Sequence, residues 1–159
     1  MKTVWVSGAS TGIGFATAKK FLNSNWNVII SSSNYEKLLL AKKQLLLKSK
    51  NKELYAYKCD ISDRNQVTET VNKITKQIGN INLAILNAAA YTPNKEQVFS
   101  IQNFEKLIDV NLKGTLFCIE SLINNMKNNQ NHIAIMASPV GYRGLPTGAA
   151  YGLTKAGLI

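Results

Sequence analysis

The sequence predicts an α/β fold built on a parallel β-sheet, and three observations support this. Short apolar stretches alternate with longer stretches of helical periodicity, an order typical of βαβ units. A glycine-rich segment, residues 8–14, stands between the first predicted strand and the first predicted helix. Residues 133–136 are apolar on both faces, as expected of an interior strand of a parallel sheet.

The predicted elements follow in order along the chain. An apolar run that stops at a glycine predicts the first strand, and apolar residues on one side of a polar stretch predict the first helix. The second helix has a leucine-rich side and a lysine-rich side, and the third opens with a capping-box pattern at Asp63 and Gln66. The predicted strands are 3–7, 27–31, 53–59, 81–86 and 132–137, and the predicted helices are 13–25, 35–50, 63–78, 104–126 and one from about 150.

Composition limits the class of protein. The 159 residues are 45% hydrophobic and 18% charged, which fits one globular domain and excludes a disordered chain. Apolar runs are too short for a membrane span, and Gly8 comes too early for a signal-peptide core, so a cytoplasmic location is expected. Cys59 and Cys118 lack a metal or redox spacing, so neither a disulfide nor a metal site is predicted.

The net charge of +10 concentrates in the first half of the chain. A basic half suggests an anionic partner, either a nucleic acid or a phosphorylated cofactor. Most lysines fall on predicted helix faces, which is also typical of a solvated surface. Because Arg64 and Arg143 are the only arginines and no basic–aromatic cluster occurs, a nucleic acid partner is not expected.

The glycine-rich segment has the composition of a phosphate-binding turn. Gly8 allows a tight turn out of the strand, Gly12 allows the backbone to approach a pyrophosphate, and Gly14 allows the helix to pack close to the sheet. The N-terminus of the following helix offers free N–H groups and a positive dipole end to phosphates.

Four polar residues form the candidate catalytic set. Tyr151 and Lys155 are four residues apart, so on a helix they share a face, and a nearby ammonium would lower the pKa of the phenol. Ser138 follows the fifth strand, at the edge of the sheet where ligands bind. Asn111 and Gly114 are poor helix formers inside a long predicted helix, which often marks a functional position.

The Gly-x3-Gly-x-Gly spacing together with Asn111, Ser138, Tyr151 and Lys155 resembles the short-chain dehydrogenase/reductase family, over essentially the whole chain. The resemblance implies a Rossmann-like doubly wound parallel sheet, a single NAD(P)-binding domain over residues 1–159, and hydride transfer between a nicotinamide and a carbonyl or alcohol. It implies that Tyr151 is the general acid/base and that Ser138 polarises the substrate. Lys155 would lower the Tyr151 pKa and bind the nicotinamide ribose, and Asn111 would position a water.

The resemblance also implies a set of cofactor-binding residues: Gly8, Ser10, Thr11, Gly12, Ile13, Gly14, Ser32, Ser33, Asp60, Ile61, Asn87, Ala88, Ala89, Tyr151 and Lys155. Asp60 would contact the adenine. Leu86 and Ala89 stand where the family has Asn and Gly, so altered packing is expected there. The second strand ends in Ser31-Ser32-Ser33-Asn34 with no acidic residue to repel a 2′-phosphate, which favours NADP(H) over NAD(H).

The family's last strands and its substrate-covering loop are absent from the sequence, so a C-terminally truncated chain is expected and the substrate cannot be identified. Two alternatives stay open: a non-catalytic dinucleotide-binding protein and an inactive truncated gene product. The missing region favours them, whereas the complete candidate catalytic set argues against the first. By resemblance, we expect a homo-oligomer, either a dimer or a tetramer, with helix 104–126 at the interface. No membrane partner is expected.

Overall fold

The computed structural model describes residues 1–49, 53–91, 100–126, 131–146 and 148–159. Its centre is a five-stranded sheet in the order β3-β2-β1-β4-β5, and all neighbouring strands are parallel. The strands are β1 Thr3–Ser7, β2 Asn27–Ser32, β3 Leu54–Lys58, β4 Leu83–Leu86 and β5 His132–Ile135. The order reverses between β1 and β4, which opens a crevice at the carboxyl ends of these strands. The α/β, Rossmann-like prediction is confirmed.

The helices also follow the predicted sequence of elements. They are α1 Gly12–Asn23, α2 Tyr35–Lys48, α3 Arg64–Gln77, α4 Ile101–Leu107, α5 Gly114–Asn125 and α6 Ala149–Ala156. A π-helical segment, Ile108–Lys113, joins α4 to α5, and a 3-10 turn, Pro139–Gly141, precedes α6. Position 50, the predicted end of the second helix, lies outside the described residues. No helix in the described ranges is both long and apolar enough to cross a bilayer.

Helices cover both faces of the sheet. Val4 and Val6 point to one face, where they pack with α1 and α2, and Trp5 points to the other, where it packs with α3 and α5. This follows from the alternation of side chains along a strand. Trp5 also donates a hydrogen bond from Nε1 to the buried Ser31 hydroxyl at 2.9 Å, which explains a polar residue within an apolar strand.

One local prediction needs correction. Asp63 caps α3 by accepting from the N–H groups of Asn65 and Gln66, but the reciprocal half of the capping box does not form. Gln66 Oε1 instead accepts from the Asp60 N–H at 3.1 Å, because the Asp63 N–H already donates to the Asp60 carbonyl. The fifth strand has the composition of an interior strand, and among the described strands it pairs with β4 alone, with Ile135 37% exposed.

The predicted helix 104–126 is wider at its centre than an ordinary α-helix. It starts earlier, at Ile101, where the Ser100 hydroxyl accepts from the Asn103 N–H. It then changes to π geometry around Asn111 before continuing as α5. Such insertions often occur at functional sites, and here the insertion carries a predicted site residue.

Candidate active site

The glycine-rich turn after β1 has the geometry its sequence requires. Gly8 and Gly12 have φ values of +64° and +59°, a region that favours glycine. A Cβ on Gly8 would lie 2.6 Å from Ala88 Cα, and a Cβ on Gly14 would lie 2.5 Å from the Gly8 carbonyl oxygen. A Cβ on Gly12 would meet nothing within 4 Å, so the turn leaves open space beside this residue.

The segment after β4 is tied directly to this turn. The Ser7 hydroxyl accepts from the N–H groups of Asn87 at 3.0 Å and Ala88 at 3.1 Å. Asn87 Nδ2 donates to the carbonyls of Ser7 and Gly8, both at 3.1 Å. Sequence reasoning missed Ser7, although a hydroxyl on the last residue of a buried apolar strand was a visible signal.

A cleft of about 600 Å³ opens at these strand ends, within the size range of ligand-binding pockets. Most predicted cofactor residues line it, namely Gly8, Ser10, Thr11, Ile13, Ser32, Ser33, Asp60, Ile61, Asn87, Ala88 and Ala89. Four do not: Gly12, Gly14, Tyr151 and Lys155. The lining also includes residues that the sequence did not indicate: Cys59, Ala90, Lys106 and Val110.

Some polar groups of the cleft form hydrogen bonds within the protein. Ser32 Oγ donates to Ser10 Oγ at 3.3 Å and so joins the end of β2 to the glycine-rich turn. Asp60 Oδ1 accepts from the N–H and the hydroxyl of Ser62 at 3.0 and 2.7 Å. Asp60 therefore stabilises a local turn as well as lining the cleft.

Asn111 is buried in the π-helical segment, with 1% of its surface exposed, and its side chain bridges two elements. Oδ1 accepts from the Ala90 N–H at 2.7 Å, and Nδ2 donates to the Ala90 carbonyl and to Thr154 Oγ1, both at 3.0 Å. The Asn111 carbonyl accepts from the Thr115 hydroxyl at 2.7 Å. The segment after β4 and helix α6 are thus held together through one amide.

Ser138, Tyr151 and Lys155 converge beside the cleft. The Ser138 side chain lies close enough to Tyr151 to lower the pKa of its phenol, and Lys155 Nζ lies 5.6 Å from the Tyr151 ring centroid. Lys155 Nζ donates to the Met136 carbonyl at 2.6 Å, just beyond β5. Thr154 precedes Lys155 in the sequence and is fully buried. Its hydroxyl donates to the Tyr151 carbonyl at 2.8 Å.

The direction of the Tyr151 pKa differs from the prediction. Burial raises the pKa of this phenol, the neighbouring Tyr91 raises it further, and the hydrogen bond from Ser138 lowers it. Burial also lowers the pKa of Lys155. Desolvation of the phenol dominates the net shift, so the predicted lowering of this pKa by Lys155, whose ammonium donates to the Met136 carbonyl, stays a prediction.

Tyr91 is a site residue that sequence reasoning missed. Its ring contacts the Tyr151 ring edge to face, with centroids 4.9 Å apart, and 53% of the residue is exposed. It directly follows Ala90, the residue that Asn111 holds by both backbone groups. Its position beside Tyr151 could not be inferred from a separation of sixty residues in sequence.

Comparison with known proteins identifies the family. The model of the short chain dehydrogenase family matches residues 2–159. The chain belongs to this family. An uncharacterised oxidoreductase of Staphylococcus epidermidis is a family-length relative that is 27% identical over 99% of this chain. A 3-oxoacyl-[acyl-carrier-protein] reductase of the same species is 29% identical, also over 99%. This chain spans 66% and 65% of the lengths of those two relatives.

Solved structures show the same fold. An NAD+-bound xylitol dehydrogenase superposes with a TM-score of 0.89 at 27% identity, covering 99% of this chain and 60% of that one. An alcohol dehydrogenase from Thermococcus sibiricus, complexed with 5-hydroxy-NADP, gives a TM-score of 0.90 at 24% identity, covering 98% and 66%. These two neighbours therefore include an NAD+ complex and a 5-hydroxy-NADP complex.

Proposed function

We propose that this chain is an NAD(P)(H)-dependent oxidoreductase that acts on a carbonyl or alcohol substrate, with residues 1–159 forming one NAD(P)-binding domain. The observation that carries the proposal is the convergence of Ser138, Tyr151 and Lys155 beside a cleft opened by a glycine-rich turn. Family membership and the relatives named as oxidoreductases support the same reaction class.

The residues of the cleft fit a dinucleotide. The space beside Gly12 is open, and α1 begins with neither an acidic residue in its first turn nor a side-chain cap on its N–H groups. A diphosphate placed there would meet unpaired N–H donors and the positive end of the helix dipole. As the resemblance implies, Asp60 and Ile61 would contact the adenine, and Asn87, Ala88 and Ala89 a ribose of the cofactor. The bound cofactor would supply the hydride chemistry that no side chain offers.

Tyr151 is the proposed general acid/base. The phenol has an ordinary pKa of 10.0, which burial raises, so it carries the proton that a donor to a carbonyl oxygen needs. Ser138 lies beside the phenol and would orient the same oxygen. Lys155, held by the Met136 carbonyl, would bind the nicotinamide ribose and place a positive charge near Tyr151.

Asn111 has a structural role beside the one the resemblance implied. Its Nδ2 donates both hydrogens to protein, to the Ala90 carbonyl and to Thr154 Oγ1, and its Oδ1 accepts from the Ala90 N–H. We therefore assign Asn111 as a positioning residue. It holds Ala90, which lines the cleft, against the helix that carries Tyr151.

The test is the oxidation of NADPH or NADH by a panel of small ketones and aldehydes, followed by nicotinamide absorbance. Tyr151→Phe should abolish turnover and leave NADPH affinity within about twofold of the parent, since only the proton donor is lost. Tyr55→Phe, which removes from β3 a hydroxyl that donates to Glu53, is the matched control and should keep full turnover. Full activity of Tyr151→Phe contradicts the proposal. NADPH binding without turnover by any compound would favour the non-catalytic dinucleotide-binding alternative.

NADP(H) is the proposed cofactor in preference to NAD(H). Ser32 and Ser33 line the cleft at the end of β2, and no acidic residue accompanies them there. Their hydroxyls can bond a 2′-phosphate, and Lys106 adds a positive charge to the lining. Calorimetric titration should show tighter binding of NADPH than of NADH. Ser33→Asp should reverse that order, and a parent chain that prefers NADH would contradict the assignment.

A second copy of this chain is the proposed protein partner. Leu116 and Ile123 on α5 are 60% and 62% exposed, and Leu153 on α6 is 50% exposed. Exposed apolar faces of this kind are typical of protein interfaces. Light scattering should therefore give a dimer or tetramer, and Leu116→Lys should shift it towards the monomer. A monomeric parent chain would contradict the proposal.

A further inference from the structure

The solvent-facing side of α2 combines exposed leucines with lysines. Leu40 and Leu47 are 62% and 76% exposed, and Leu39 is 44% exposed. Leu40, Lys43 and Leu47 are spaced at i, i+3 and i+7, so they share one side of the helix. The opposite side of α2 packs against the core, where Leu38, Ala41 and Leu45 are buried.

Lysines surround these leucines at one-turn spacing. Lys37 lies three residues before Leu40, and Lys42 and Lys43 lie three and four residues after Leu39. Glu36 is the one acidic residue of α2. We call the exposed set Lys37, Leu39, Leu40, Lys43 and Leu47 the α2 face, and Lys42 beside it is half-buried.

The charge of this side of the molecule is not neutralised within the described residues. Their ion pairs are Arg64–Glu120, Lys73–Glu69 and Lys113–Asp109, all remote from α1 and α2. Lys19 and Lys20 of α1, which packs on the same side of the sheet as α2, are also exposed. The helices on the other side, α3 and α5, contribute the acidic partners of two of those pairs. One side of the sheet is therefore strongly basic.

We propose that the α2 face binds an anionic membrane surface, with the leucines entering the interface and the lysines contacting lipid phosphates. A basic helix with a leucine centre has the composition of an interfacial helix, and long lysine side chains can reach headgroups while the leucines lie deeper. The attachment is peripheral, so it needs no spanning helix. It departs from the expectation that no membrane is a partner.

Charge and apolar area together favour this occupant over two others. A symmetric contact between two copies would bring like charges together on both sides. A nucleic acid would pair with the lysines but would leave the exposed leucines without an apolar partner. An anionic bilayer offers phosphates and hydrocarbon in one surface.

The test is flotation of the full chain with vesicles of phosphatidylcholine alone and of phosphatidylcholine with phosphatidylserine. Binding to the anionic vesicles should exceed binding to the neutral ones by about tenfold or more, and should weaken as salt is added. Leu40→Ser/Leu47→Ser and Lys37→Gln/Lys43→Gln should each reduce anionic binding by about tenfold. Circular dichroism should show parent-like folding, since these positions face solvent.

The matched control is Lys73→Gln/Lys76→Gln, which removes the same charge from exposed positions of α3. It should bind anionic vesicles within about twofold of the parent chain, because α3 lies on the other side of the sheet. Equal losses in the control would show that only net charge matters and would overturn the proposal. So would the absence of anionic binding.

Binding of a duplex oligonucleotide tests whether the α2 face is a nucleic acid site instead of a membrane site. If the leucine variant binds vesicles as the parent does, and the parent binds the duplex through the same lysines, the face is a nucleic acid site and the membrane proposal fails. NADPH affinity should be unchanged in all α2 variants. Failure here is therefore distinguishable from failure of the proposed oxidoreductase function.

Discussion

Replacing Asn111 by alanine should destabilise the fold far more than replacing an exposed asparagine of the same long helix. The Asn111 side chain makes three hydrogen bonds, two to Ala90 and one to Thr154, and the residue is 1% exposed. Each bond contributes about 1 kcal/mol, so their loss should cost about 3 kcal/mol of unfolding free energy. For a chain of this size that corresponds to a fall in Tm of roughly 6–12 °C.

Urea unfolding followed by circular dichroism measures this difference. Asn124→Ala is the control, because Asn124 is exposed on α5 and should change the unfolding free energy by less than about 0.5 kcal/mol. If Asn111→Ala is no more destabilising than Asn124→Ala, the bridge between the β4 segment and α6 does not contribute to stability. The assignment of Asn111 as a positioning residue would then be refuted.

Three further predictions concern buried polar groups. Thr154→Val should cost about 1–3 kcal/mol of unfolding free energy and slow turnover, because Asn111 loses a buried partner, whereas Thr154→Ser should restore both. Burial raises the pKa of the Cys118 thiol from its ordinary 9.0, so the folded state holds more protons than the unfolded chain above that pH. The unfolding free energy should therefore fall as the pH rises past 9, and urea titrations of Cys118→Ala should show a shallower decline. Ser31→Ala should cost about 1–3 kcal/mol in the same assay, because it leaves Trp5 Nε1 buried without its acceptor.

Local patterns were sufficient to predict the order of strands and helices. Apolar runs bounded by glycine and periodic leucines depend on a few neighbouring residues, and the structure has elements at all of these places. The turn at Gly8 is likewise a local requirement, satisfied by its positive φ. The sequence indicates that Asn111 and Gly114 are poor helix formers inside a helix, but it does not predict the π geometry around Asn111.

Long-range contacts and burial account for what the sequence did not reveal. The bonds from Asn111 to Ala90 and Thr154 join residues 21 and 43 positions apart, and no local pattern encodes that distance. The direction of the Tyr151 pKa depends on how much water the fold removes from the phenol. Spacing alone places Lys155 near Tyr151 but does not show that Met136 binds its ammonium.

The most direct test of the central claim, that this cleft holds a nicotinamide dinucleotide, is an NADPH titration of the parent chain, Gly12→Ala and Gly79→Ala. Both glycines have positive φ, +59° and +110°, and a Cβ would meet nothing within 4 Å at either, so both variants should fold with modest strain. We predict that the parent chain and Gly79→Ala bind NADPH alike, while Gly12→Ala binds at least about tenfold more weakly, because its methyl group occupies the diphosphate position. Equal binding by all three, or no binding by the parent chain, would contradict the account.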